Sequence, residues 1–184
     1  MSIPKSPKPA KLVIGVYTRK KELAPVVAEI FREAYGALDL ISAWLPFDFT
    51  AYYEKEMGRP LYRRFFSFKR LIHQESLSDI KLFTNGIEKS FMENGNRQVN
   101  IDPGYMLHAR FVLATGKDFS HRIYIGKEIY ADLTLLYQKG GFKALPWTYP
   151  DYAERGVQEF LYQVRDKYAF DVRMEKEHDS HAGL

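Results

Sequence analysis

Four short stretches of the 184-residue chain carry side chains able to do chemistry together. Asn100-Ile101-Asp102-Pro103-Gly104-Tyr105 sets an amide and a carboxylate two positions apart. On a strand they share one face, where they can hold a metal, a ribose or a substrate hydroxyl. Asp before Pro-Gly is equally ordinary turn chemistry, because its side chain bonds nearby backbone N–H groups. Lys117-Asp118-Phe119-Ser120-His121-Arg122 contains serine, histidine and aspartate, but adjacent Ser120 and His121 point to opposite faces of a strand, which excludes a hydrolase triad. Two readings remain: Lys117, His121 and Arg122 converge on a phosphate, or they form an ion-paired surface hairpin. Thr18-Arg19-Lys20-Lys21 lies between an apolar run and a helical pattern. Its cations oppose the helix dipole, yet with free N–H groups they make a phosphate pocket; the alternative is a solvated lysine-rich turn. In Asp48 to Gly58 (DFTAYYEKEMG), Glu54 and Glu56 share a face only if the segment is extended. With Asp102 they are the candidate catalytic carboxylates of an alternative function, a metal-assisted phosphoester hydrolase or transferase, which would use Mg²⁺. No set of metal ligands is assigned.

Several chemistries are excluded outright. The chain has no cysteine, hence no disulfide, thiolate zinc site or cysteine nucleophile. Its Gly-Lys pairs, Gly116-Lys117 and Gly126-Lys127, have no glycine five positions earlier and no following Ser or Thr, so there is no Walker A loop. His-Glu-x-x-His, Gly-x-Ser-x-Gly and Gly-x-Gly-x-x-Gly are also absent. The net charge of +4 arises at one end: Met1 to Lys21 holds six cations and no acid, leaving 21 basic against 23 acidic residues in the body. A nucleic-acid binder shows a basic face. Only Arg59 to Arg70 offers one, with Arg59, Arg63, Arg64, Lys69 and Arg70 interleaved with Phe65, Phe66 and Phe68. That patch keeps an RNA-interacting or adaptor role as an alternative.

The elements that must position these residues follow from periodicity. Leu12 to Tyr17 is a β-branched apolar run, the mark of a central strand. Leu23, Val26, Val27, Ile30, Phe31 and Ala34 recur at helical spacing up to Gly36. Ile41 to Leu45 and Leu61 to Phe68 read as strands. Ser76 and Asp79 resemble a capping box opening a helix with Leu77, Ile80, Phe83, Ile87 and Phe91 inward. Gln98 to Asp102 reads as a strand ended by a Pro103-Gly104 turn. The expected fold is α+β: a ferredoxin-like β-α-β-β-α-β core with a mainly antiparallel sheet, plus a C-terminal β-hairpin and helix. In the hairpin, a three-residue loop at Gly126 to Glu128 puts Arg122 opposite Asp132 and gathers Ile123, Ile125, Ile129, Ala131 and Leu133 on one face. The segment Trp147 to Tyr152 stacks a base or packs the final helix, with Asp151 as N-cap and Ala153, Val157, Phe160, Leu161, Val164 and Tyr168 inward. One domain is expected over 11–172, between flexible tails at 1–10 and 173–184. With no signal peptide and no apolar run of membrane-spanning length, a cytoplasmic location without membrane contact is expected.

Five blocks carry a further indication: FTAYYEKEMG (Phe49 to Gly58), SFKRLI (Ser67 to Ile72), NIDPGY (Asn100 to Tyr105), LATGKDFSHRIYIG (Leu113 to Gly126) and LPWTYPDY (Leu145 to Tyr152). Together they resemble the bacterial family of domain of unknown function 4416, from KLVIGV through YPDY. The resemblance implies no established activity or catalytic residue; members are sometimes labelled GTP-binding, which the missing phosphate loop does not support. From the residues, the leading expectation is binding of a phosphorylated small molecule or nucleotide, with Thr18, Arg19, Lys117, His121 and Arg122 as anion contacts. Asn100, Asp102 and Tyr105 are the expected orienting groups.

Overall fold

The computed structural model describes residues 1–50 and 52–182. In chain order its elements are β1 (Ala10–Thr18), α1 (Leu23–Tyr35), β2 (Leu38–Ile41), β3 (Leu45–Phe47), α2 (Glu54–Met57), β4 (Leu61–Ile72), α3 (Leu77–Ser90), β5 (Met92–Glu93), β6 (Asn96–Arg97), β7 (Val99–Leu107), β8 (Arg110–Thr115), β9 (Arg122–Tyr124), β10 (Tyr130–Gln138), β11 (Gly141–Ala144) and α4 (Arg155–Ala182). The main sheet has the order β11-β10-β8-β7-β1-β4-β2, with β3 on β4 and β9 on β10, and each of these pairings is antiparallel. The fold is thus α+β with a mostly antiparallel sheet.

All of β1 is buried because the sheet is covered on both sides. Leu12, Ile14 and Val16 pack with Val27 and Phe31 of α1 and Leu77, Ile80 and Ile87 of α3. On the other side, Val13 joins Phe65, Met106 and Phe111 under Val157, Phe160, Leu161 and Val164 of α4. Each such large side chain contributes about 1.5–3 kcal/mol by leaving water. At the far end of the molecule the fully buried Lys11 is neutralised, its ammonium lying 2.5 Å from Asp39 and 2.7 Å from Asp171 and donating to the Phe68 carbonyl at 2.8 Å.

One irregularity in the sheet creates the site. β7 and β8 pair only from Gly104 opposite Leu113 to Leu107 opposite Arg110, and beyond that point they separate. Ile101 therefore has no strand on that side: its N–H donates to Glu88 Oε1 at 2.6 Å, and its carbonyl accepts from Lys81 Nζ at 2.8 Å, both groups on α3. Pro103, two residues on, turns the same edge outward and has no N–H to satisfy there. The expected Pro103-Gly104 turn is replaced by continuous strand, in which Pro103 faces Ile14 and Gly104 faces Val13 across β1. Gly104 is required by close approach, since a Cβ there would sit 2.4 Å from the Val112 carbonyl oxygen.

Other boundaries differ from expectation for local reasons. The second expected strand divides into β2 and β3 on either side of Ser42, whose hydroxyl accepts from the Phe65 N–H at 2.9 Å. Ser76 makes no cap hydrogen bond, because a 3-10 turn at Gln74–Ser76 leads into α3; Asp79 reaches Lys127 instead. Phe83 is exposed, and the buried stripe of α3 runs through Leu77, Ile80, Lys81, Thr84, Ile87 and Glu88. The hairpin has the three-residue loop, with Asp132 opposite Arg122 and Ile125 bonded to Ile129. Its expected apolar face is not uniformly inward: Ile123 is 68% exposed while Arg122 and Asp132 are buried. α4 continues as helix through 173–182, where a tail was expected; 183–184 lie outside the described residues.

Candidate functional site

Where β7 and β8 part, a cleft of about 540 Å³ opens, a volume suited to a small ligand. Its polar floor is Asn100 and Asp102 from the unpaired end of β7, on the face opposite Ile101, together with Lys81 and Glu88 from α3. Asn100 donates to Asp102 Oδ2 at 3.1 Å, and Lys81 Nζ lies 3.5 Å from Asp102 Oδ1. Arg97 reaches in from β6, donating through Nε and Nη2 to the two oxygens of Glu56 at 2.8 Å each and through Nη1 to Asn100 at 2.9 Å. The other wall is the end of β8 and its loop, Leu113 to Lys117.

Aromatic rings form the remaining sides. Tyr17 at the end of β1 stacks on Tyr53 with centroids 6.2 Å apart, and Phe47 meets Tyr17 edge-on at 4.7 Å. Tyr52 and Tyr149 frame the mouth, where Lys117 Nζ donates to the Tyr52 hydroxyl at 3.2 Å. Burial raises the phenol pKa values of Tyr17, Tyr53 and Tyr152 well above the ordinary range, so these hydroxyls stay neutral. Beneath them Arg63 is clamped by Asp151 and donates to the Tyr17 hydroxyl at 3.0 Å. Burial also raises Glu88, with the Asp102 charge adding to it and Lys81, the Ile101 N–H and Arg97 opposing it. Glu56 is lowered by its fork of hydrogen bonds from Arg97.

The family model described as Domain of unknown function (DUF4416) matches residues 8–168. The chain belongs to this family. Comparison with curated proteins and with solved structures finds no match. In this DUF4416 protein every residue lining the cleft, from Tyr17 to Tyr152, lies within the matched span. No described helix is long and apolar enough to cross a membrane.

Of the residues singled out in the sequence, the cleft brings together Asn100, Asp102, Lys117 and Arg122. Arg122 is held fast, donating to Asp132 at 2.9 Å, to the Lys117 carbonyl at 2.9 Å and to the Tyr149 hydroxyl at 3.0 Å, so it braces the wall. His121 stands outside the lining, stacked on Trp147 at 5.0 Å with Nε2 3.4 Å from Asp132. Tyr105 falls on the opposite sheet face, in the core under α3, because β7 continues through Pro103 and the offset of three reverses its direction. Thr18 is buried, accepting from the Lys20 N–H and donating to the Gln98 carbonyl at 2.9 Å each. Arg19 is exposed beside Gly58, while Lys20 pairs with Glu93 and Lys21 lies over Tyr62. These cations do not converge.

The candidate carboxylates are also separated. Glu54 and Glu56 sit in α2, where two-residue spacing turns them apart, and they are engaged by Arg59 and Arg97 respectively. Among the described residues no three His, Asp or Glu side chains gather as a metal ligand set. Asp151 does not cap α4: it is buried on Arg63, in a 3-10 turn at Pro150–Ala153. In the basic stretch, Phe65, Phe66 and Phe68 are core residues, removed from any base they were expected to stack.

Sequence reading missed Tyr17, Tyr53, Lys81, Glu88 and Arg97. Lys81 and Glu88 do leave a signal, since with Leu77 and Thr84 they repeat at four, three and four residues along the inward stripe of α3. Charges on a buried stripe point to a polar partner inside the fold.

Proposed function

We propose that the cleft binds a small phosphorylated molecule of about nucleoside monophosphate size, its phosphate at Lys117 and its polar body on Asn100 and Asp102. The observation that carries this function is the meeting, at one break in the sheet, of an aromatic wall, an amide–carboxylate pair and a cation at the mouth. The lining charges limit the anion it accepts. Lys81, Arg97 and Arg122 are each paired with a carboxylate, and among the described residues Lys117 is the lining cation with none. One such cation suits one phosphate; a triphosphate would bring more negative charge than the cleft balances. The four-strand core that holds the floor is read here as ferredoxin-like. The order β7-β1-β4-β2 and the shared face of α1 and α3 support that reading.

Thermal denaturation with AMP, GMP, ribose 5-phosphate, ATP and GTP tests this function. A monophosphate at 100 times its dissociation constant adds ~2.7 kcal/mol, which at about 2–4 °C per kcal/mol for this chain length raises Tm by roughly 5–11 °C. Lys117→Ala should weaken that ligand about tenfold. No shift with any monophosphate, or tighter binding of the triphosphates, would contradict the proposal.

A further inference from the structure

We infer that the ligand of this cleft is a zwitterion, with a protonated amine at its inner end seated against Asp102 and its phosphate at Lys117. The inference rests on the cleft being the ligand site and adds the chemistry of the end that enters first. It follows from how charge is divided along the cavity. Around the floor stand three cations, Arg63, Lys81 and Arg97, and four carboxylates, Glu56, Glu88, Asp102 and Asp151. At the mouth Arg122 cancels Asp132 and Lys117 is in excess. With its four carboxylates ionised the inner end carries one surplus negative charge, and the mouth carries one surplus positive charge. A ligand with the opposite polarity neutralises both.

Asp102 is the carboxylate open to a ligand cation. Asp151 is sealed behind Arg63, Glu56 is gripped by both arms of the Arg97 fork, and Glu88 is held by the Ile101 N–H at 2.6 Å. Asp102 keeps 27% of its side chain accessible, and its cationic neighbour Lys81 is nearer to the Ile101 carbonyl, at 2.8 Å, than to Asp102, at 3.5 Å. Among the charges acting on Tyr53, Asp102 is the strongest and adds to burial in raising that phenol; at Tyr17, Tyr152 and Asp151 it acts behind the opposing Arg63 charge, and at Glu88 behind that of Lys81. The accessible Asp102 carboxylate attracts an ammonium, as do the faces of the neighbouring rings.

Isothermal titration in EDTA, which removes adventitious divalent cations, compares matched pairs differing by one amine. These are 2-aminoethyl phosphate against 2-hydroxyethyl phosphate, and glucosamine 6-phosphate against glucose 6-phosphate. The amine member of at least one pair should bind tenfold or more tightly than its hydroxyl partner. That preference should vanish in Asp102→Asn and persist in Ser76→Ala, a residue outside the cleft. Equal affinity within both pairs, or a preference unchanged in Asp102→Asn, would overturn the inference. Binding of AMP with neither pair binding would overturn the zwitterion and leave the phosphate site standing; failure of every phosphorylated compound would remove both.

Discussion

The Arg63–Asp151 pair beneath the cleft gives a stability test that can be worked from the structure. Arg63 is 1% exposed and Asp151 3%, and their ion pair joins the β4 strand to the turn before α4. The guanidinium also lies 4.5 Å from the Phe65 ring centroid, 4.9 Å from that of Tyr152 and 5.3 Å from that of Tyr17. Asp151→Asn keeps the shape but strands a buried cation among aromatic rings, a loss of about 3–5 kcal/mol. For this chain length that is a fall in Tm of roughly 6–20 °C, and a large part of the ~5–15 kcal/mol holding a typical domain together. Removing the cation as well, in Arg63→Met/Asp151→Asn, should return the protein to within about 2 kcal/mol of wild type, since the stranded charge is gone. Urea denaturation of wild type, both single variants and the double variant closes the thermodynamic cycle. A loss below ~1 kcal/mol in Asp151→Asn, or strictly additive single effects, would refute the reasoning that the pair is buried and mutually dependent.

Further outcomes follow from individual contacts. Gly104→Ala should destabilise by about 1–3 kcal/mol or more, because the new methyl would meet backbone at 2.4 Å. Gly15→Ala should cost less, since its Cβ would press on the movable Phe65 ring at 3.1 Å; equal Tm losses by calorimetry would count against this. Glu88 is raised on folding, so its contribution to stability is present below the unfolded carboxyl value and declines as pH rises through the folded one. Glu88→Gln lacks that decline and should gain on wild type between pH 4 and pH 7, which paired denaturation curves would reveal; a constant gap would contradict it. Ser76→Ala should cost less than ~0.5 kcal/mol, against about 1 kcal/mol for a working N-cap, because the hydroxyl caps nothing.

How much of this was legible in the sequence depended on the range of the interaction. The hairpin register could be derived, because only one loop length segregates apolar from polar residues, and it is the register found. Asn100 and Asp102 could be placed on one face by strand periodicity alone. The Pro103-Gly104 pair misled because a break in pairing along one edge has the same composition as a turn, while the strand itself continues against β1. That continuation sends Tyr105 to the core. Arg63 and Asp151, 88 residues apart, meet only through the fold, as do Arg97 and Glu56 at a separation of 41. No local pattern announces such pairs; once one is formed, charges that looked free for a ligand are already neutralised.

The gap between β7 and β8 is the proposed ligand site of this protein. Amide chemical-shift mapping with AMP and glucosamine 6-phosphate addresses it residue by residue. The expected result is a single cluster of perturbed amides covering Asn100 to Asp102 and Thr115 to Lys117, moving together on one titration curve. Perturbations confined to the exposed end of β4 around Lys69 and Arg70, or none at saturating ligand, would contradict it.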